Sequence, residues 1–399
     1  MCRRRSQRPE RGGVPEEGAC PLLHSSAGRV AGGGSGRAAG RGRPAALSRP
    51  QLSGTSDSAT VGPMSRVVVV GGGVIGCAIA ERLSRERRHQ VLLLERDSVG
   101  AHASGAAAGL LSPHTESADH GLSARSLAMF PELVERVERT GIAVEFHEHD
   151  SLTPALTGDE ERRLRRGPGR WLDAAAARAA EPGLSARVRG ATVFREAQVT
   201  PIRLVRALAR TAVEQGAEIR EGAPVGGLSV RSGQLLGVQA AEGPVRADAV
   251  VLAAGPWSPA LASPAGVALD VRPSRGQLVM MRPRAAAMRN VLTWRGCYLV
   301  PKPDGTVVAG STEEEAGFDD RPTVEGIAGL LQFACQAVPA LGQATVERVW
   351  AALRPATPDG QPVIGPAPGL PNLVVATGHN RTGILLAPVT AELVAERLP

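Results

Sequence analysis

The stretch Val67-Val68-Val69-Val70-Gly71-Gly72-Gly73-Val74-Ile75-Gly76 constrains this chain more than any other. A β-branched run meets a glycine turn, and Ala78 to Leu83 continues at helical spacing, so the order is strand, tight turn, helix. Gly71 supplies dihedrals closed to other residues, and Gly73 lets backbone approach a pyrophosphate. Gly76 lets the helix sit tight against the strand. The helix start at Val74 and Ile75 turns its positive end toward the phosphates. A second strand, Val91-Leu92-Leu93-Leu94, ends at Glu95, nineteen positions after Gly76. An acid there accepts both hydroxyls of an adenosine ribose, whereas a 2′-phosphate would be repelled. Strand, helix and acid at these distances predict an adenine dinucleotide site.

Composition divides the chain in two. The first 63 residues hold ten arginines, four acids, twelve glycines and six prolines, with no Phe, Trp or Tyr. No periodic apolar face offsets the entropy of ordering them. Residues 1–63 are therefore expected to be a disordered leader or a wrongly included extension, with Met64 as the natural start. A transit peptide fits poorly with Glu10, Glu16 and Glu17, and a nucleic-acid tail is the other functional reading of the arginines. Of the net charge of +7, only +1 remains with residues 64–399. The high pI thus gives no reason to infer a nucleic-acid groove. Cys2, Cys20, Cys77, Cys297 and Cys335 form neither a metal-like pair nor a disulfide framework, which points to a reducing compartment. No apolar run is long enough for a membrane span. A cytoplasmic protein is expected.

Along the chain, residues 97–111 are dense in small side chains, with Ser104 as a helix cap and Gly105 to Gly109 exposing backbone N–H groups to a cofactor. One amphipathic helix is predicted from Ser123 to Thr140, with Leu127, Phe130, Leu133 and Val137 on its face. Phe146-His147-Glu148-His149-Asp150 reads as a solvated charged edge, since no further ligands converge on the histidines for a metal. Glu160 to Arg170 reads as an exposed charged helix or loop, and Ala174 to Ala180 as a helix. A helix from Pro201 to Gly216 is expected, with Thr200 as its cap. Val225–Val230, Leu235–Ala240 and Pro244–Ala247 suggest an antiparallel meander. Asp248 to Ala254 reads as a buried parallel strand returning beside the first, followed by Gly255 and Trp257 near the cofactor. Val271–Arg282, Leu292–Pro301 and Thr306–Ser311 read as long strands of a mixed, largely antiparallel sheet, with a helix at Val324–Val338 and a further strand at Glu347–Pro355. Leu373 to Gly383 repeats strand into glycine, and Ile384 to Leu398 supplies the closing helix.

Tyr298-Leu299-Val300-Pro301, Gly310-Ser311-Thr312-Glu313, Trp350-Ala351-Ala352-Leu353-Arg354-Pro355 and Gly378-His379-Asn380-Arg381-Thr382-Gly383-Ile384 carry a resemblance to a known family. With them, the chain resembles the glycine oxidase branch (thiamine-pathway ThiO type) of the FAD-dependent D-amino-acid oxidase superfamily, over about Arg66 to Leu398. The resemblance implies an α/β fold, with a Rossmann-like (glutathione-reductase-like) FAD domain of residues 64–145, 198–262 and 345–399. The substrate domain would comprise 146–197 and 263–344.

It implies non-covalent FAD on Gly71, Gly73, Val74, Ile75, Gly76, Glu95 and Arg96, with Ser104, Gly105, Ala106, Ala107, Ala108, Gly109 and Leu110 along the flavin. Gly255 and Trp257 would lie near the cofactor's middle, and Val225 and Ala254 would bind it too. Gly378, His379, Asn380, Arg381, Thr382, Gly383 and Ile384 would surround the O2 side of the ring. For the substrate, Arg354 and Tyr298 match the family's carboxylate-binding pair and Arg381 a pocket wall. The carbonyl of Glu313 would accept the substrate amine. Asn380 departs from the aromatic residue often found after the histidine, which bears on pocket shape.

The implied reaction is oxidative deamination of glycine, with sarcosine and small D-amino acids as further substrates. Hydride leaves the α-carbon for the flavin, O2 gives H2O2, and the imine hydrolyses. A dehydrogenase passing electrons to another carrier is the alternative. The resemblance also implies a homotetramer and hand-over of the imine to thiazole synthase.

Overall fold

The computed structural model describes residues 64–114, 119–285 and 287–398; the readings on residues 1–63 lie outside the described residues. Its centre is a six-stranded sheet in which the first strand, Ser65–Val70, lies between two parallel neighbours, His89–Leu94 and Ala249–Leu252. Val67, Val68 and Val69 are fully buried because helices or loops cover both faces, which explains a strand without polar alternation. Leu370–Thr377 extends the sheet beside Ala249–Leu252, and the glycine turns at the strand ends therefore gather at one edge. The three-stranded meander Val225–Arg231, Gln234–Ala240 and Gly243–Arg246 forms as expected.

A nine-stranded sheet stands against this unit. Thr345–Ala356, grouped in the sequence reading with the dinucleotide part, pairs antiparallel along its whole length with Arg272–Arg282 in the large sheet. The local sequence of an edge strand says nothing of which sheet it joins. Leu292–Pro301, read as one strand, is a hairpin of Val291–Trp294 and Cys297–Pro301. Its turn residues Arg295 and Gly296 both have positive φ, the geometry of tight hairpin turns.

Three more readings change. The Ser123–Thr140 helix is two, His120–Ala128 and Phe130–Glu138, because Pro131 stands in the first turn of the second and lacks an N–H to continue the first. Phe130, Leu133 and Val137 are still buried on one face. The supposed charged edge begins the interior strand His147–Ala155, held between Val291–Trp294 and Gly190–Gln198; only its entry, His147 and Glu148, is exposed. The charged segment after it is a helix, Gly158–Arg166, with a Thr157/Glu160 capping box. Glu160 is buried and accepts from Trp294 Nε1 at 3.0 Å and Arg295 Nε at 2.9 Å, so this helix is anchored rather than free.

No helix among the described residues is long and apolar enough to cross a membrane. Cys77 and Cys335 are free thiols.

Candidate active site

One cavity runs along the seam between the two sheets. At one end it is lined by Glu95, Pro224 and Val225, and at the other by Tyr298, Arg354 and Arg381. The first strand delivers Gly71, Gly72, Gly73, Val74 and Ile75 to its wall. Gly71 has φ +111°, and a Cβ there would lie 2.5 Å from the Ala253 carbonyl oxygen, so no side chain fits between these strands. Gly76 does not line the cavity; a Cβ on it would fall 1.9 Å from the Gly71 oxygen, which fixes helix Val74–Glu86 against the turn.

The expected cap role of Ser104 is real but directed elsewhere. Ser104 sits inside the short helix Ala103–Ala106, and its Oγ accepts from Val74 N at 2.9 Å, supplying the cap that Gly73 lacks. Glu95 is buried, accepting from Gly72 N at 2.6 Å and Asp97 N at 3.0 Å. Arg96 lies 3.8 Å over the Trp257 ring, and His102 packs at 4.9 Å from it. Glu95, Asp97 and His102 are the one group with metal-like spacing among the described residues. Asp97 and His102 already bond each other at 2.7 Å, and His102, then Arg96, hold the Asp97 carboxyl below its ordinary range.

Ala106, Ala107, Ala108, Gly109 and Leu110 line the cavity, as do Ala254, Gly255 and Trp257. Gly105 faces away, since a Cβ on it would meet the Gly100 carbonyl at 2.2 Å. From the closing segment, His379, Asn380, Arg381, Gly383 and Ile384 reach the cavity. Gly378 and Thr382 do not: the first turns against Thr357 with φ +80°, and the second donates its hydroxyl to His379 O at 2.8 Å. His379 is buried, its Nε2 3.0 Å from Thr390 Oγ1; burial alone pushes its pKa down to about 3 and keeps it neutral.

Arg354 lies flat across a glycine. A Cβ on Gly276, diagonal to it on the neighbouring strand, would fall 2.0 Å from Arg354 Nη2. Its Nη1 donates to Thr312 O at 3.1 Å and its Nη2 to Ser311 Oγ at 2.6 Å. Tyr298 repeats the device, because a Cβ on its cross-strand partner Gly310 would strike the ring at 2.8 Å. Arg381 lies 5.8 Å from that ring and donates to Gly296 O at 3.3 Å. Glu313, the expected amine acceptor, is exposed and outside the cavity. The chain is drawn the other way there, since Thr312 Oγ1 accepts from Gln277 N and Glu314 pairs with Arg275. Sequence reasoning missed Gly276 and Gly310, although a glycine inside a strand is itself a signal of close approach. It also missed His102, and it quoted Ser311 within a motif without reading its bond to Arg354, which no local signal reveals.

The shape suits FAD. A Cβ on Gly73 would meet only Ser104 Oγ, at 3.1 Å, so the helix start is open to the cavity. Gly255 has φ +54° with nothing within 4 Å of its Cβ position. Asn380 Oδ1 is buried with no hydrogen-bond partner among the described residues.

Comparison with known proteins agrees. A family model described as FAD dependent oxidoreductase matches residues 66–397. The chain is 37% identical over 346 residues to the bifunctional protein ThiO/ThiG of Nostoc sp., covering 83% of this chain but 52% of that one. It thus spans about half the length of such relatives. To the glycine oxidase of Geobacillus kaustophilus it is 36% identical, covering 83% of this chain and 92% of that one. The crystal structure of glycine oxidase from Geobacillus kaustophilus superposes with a TM-score of 0.79 at 35% identity, over 84% of this chain and 96% of that one. The chain belongs to the FAD-dependent oxidoreductase family, and its cofactor is FAD.

Proposed function

We propose that this protein oxidises the amine of a small α-amino acid, glycine first, with sarcosine and small D-amino acids as further substrates. The observation that carries the reading is the pairing of Arg354 with Tyr298 at one end of the cavity whose other end is the glycine turn and Glu95. A planar guanidinium answers one carboxylate with two parallel charge-assisted bonds, and the tyrosine hydroxyl adds a third. Fixing the carboxylate orients the α-carbon, which is the main catalytic task when no nucleophile is needed. FAD supplies the two-electron acceptor for the α-carbon's hydride. The neutral His379 adds no charge of its own. Arg354 and Arg381 place positive charge beside the substrate amine and favour its neutral form, the form that is oxidised. The imine leaves and hydrolyses to the 2-oxo acid, and O2 takes the electrons to give H2O2. The likeness to bifunctional ThiO/ThiG proteins supports a place in thiamine thiazole formation, with hand-over of the imine to a thiazole synthase.

The test is an anaerobic titration of the flavin spectrum with glycine, sarcosine and D-alanine, followed by admission of air and assay of peroxide. Bleaching by glycine and recovery in air with one peroxide per turnover is expected. Bleaching without recovery assigns a dehydrogenase, and no bleaching with any amine removes the reading.

A further inference from the structure

Of the 46 basic residues in the chain, Lys302 is the single lysine; every other one is arginine. It follows strand Cys297–Pro301, its ammonium is buried, and it donates from Nζ to the carbonyl oxygen of Ala108. Burial pushes its pKa down to about 8, against the pull of Glu145 and Asp304. Two residues before Ala108 a second side chain does the same, since Trp350 Nε1 donates to the carbonyl of Ala106 at 2.9 Å. Trp350 lies four positions before Arg354 in strand Thr345–Ala356 and so shares its strand face, and Lys302 follows directly on the strand that carries Tyr298.

The peptide units Ala106–Ala107 and Ala108–Gly109 are trans. In a planar trans peptide the N–H points opposite to the C=O. Holding both carbonyls toward the large sheet therefore turns the N–H groups of Ala107 and Gly109 the other way. Gly109 is fixed as well by Val199 N donating to its carbonyl at 3.0 Å, and a Cβ on it would strike Val199 O at 2.0 Å. Ala108 packs in one apolar cluster with Tyr298, which marks this segment as the part of the cavity beside the substrate, where the reacting ring of FAD has to lie.

We propose that Lys302 and Trp350 are positioning residues that hold the Ala106 and Ala108 carbonyls and so present the Ala107 and Gly109 amides to the isoalloxazine ring. A compact ammonium on a flexible stem reaches one buried carbonyl where a guanidinium fork needs wider space. Two donors aimed at the ring favour its electron-rich reduced state. This inference rests on FAD as cofactor and is independent of which amine is the substrate.

The experiment uses the full chain as holoprotein and apoprotein, with K302M, K302R and W350F. FAD affinity of the apoprotein is read by quenching of FAD fluorescence, and the reduction potential of the bound flavin by equilibration with a reference dye. K302M and W350F are expected to melt near the parent temperature, bind FAD about ten-fold more weakly and show a lower potential. K302R, which keeps a cationic donor, should recover part of both losses. A folded K302M with the parent's FAD affinity and potential overturns the proposal, as does a loss in which K302R equals K302M. Should K302M fail to fold, W350F decides alone, because it removes one N–H and keeps an aromatic ring.

Discussion

The parallel sheet meets the cavity with backbone: Gly71, Gly72, Gly73 and Gly255 line it, and the first helix offers its N-terminus. The large sheet meets the same cavity with side chains, Tyr298, Arg354 and Leu278 among them. Both sides depend on glycine, but for opposite reasons. In the parallel sheet a missing side chain lets backbone approach backbone or ligand. In the large sheet Gly276 and Gly310 make room for a side chain from the next strand. Substitutions at the glycines of the first side should therefore remove the cofactor, and at Gly276 and Gly310 on the second side should spare it and remove the substrate.

The contrast is broken most severely at Gly76. G76A drives a Cβ into the Gly71 carbonyl, so little soluble protein with a visible flavin band is expected. G73A, where the nearest obstacle is a hydroxyl, should fold and bind FAD more weakly. Retention of stoichiometric FAD by G76A would break the assignment of that contact. Next comes G276A, which displaces the Arg354 guanidinium. With two charge-assisted bonds compromised, about 3 kcal/mol or roughly 100-fold in kcat/KM for glycine should be lost at unchanged flavin content. Joint loss of flavin and turnover would erase the distinction between the two sides.

The third test uses pH. His379 titrates near 3 when folded and at 6.5 in its ordinary state. Between these values the unfolded chain binds a proton that the native chain does not, so stability is full above 6.5 and declines as pH falls toward 3. The slope from this one group approaches about 1.4 kcal/mol per pH unit. H379Q should flatten that decline in urea titrations at pH 7, 6 and 5, and an unchanged slope would refute it. Smallest is Y298F, which removes one hydroxyl worth about 1 kcal/mol and should raise KM for glycine roughly five-fold, with spectrum and melting temperature unaltered.

How far the sequence could be read follows the same division. The glycine turn, the acid nineteen positions on and the returning strand are local patterns, and the structure has each where it was expected. Arg354 and Tyr298 were found through resemblance, but what holds them was not, because Gly276 and Gly310 reach them through register between strands. That Glu313 stands outside the cavity was hidden for a similar reason: the contacts of Gln277 and Arg275 with its neighbours are non-local. The membership of Thr345–Ala356 in the large sheet was equally hidden. Lys302 was in plain view as a unique residue, yet its partner carbonyl lies 194 positions away.

Ser104 carries one more consequence, for the order in which the chain folds. The helix Val74–Glu86 has no cap of its own, and its first amide is satisfied by a hydroxyl thirty residues downstream. Helix nucleation is unfavourable in itself, and an N-terminal amide without a partner adds to that cost. A nascent chain that has released only the strand, turn and helix therefore holds an unfinished nucleus. The unit closes when the small-residue segment arrives and folds back onto it, so the stretch that lines the cavity is also the stretch that lets the opening helix persist.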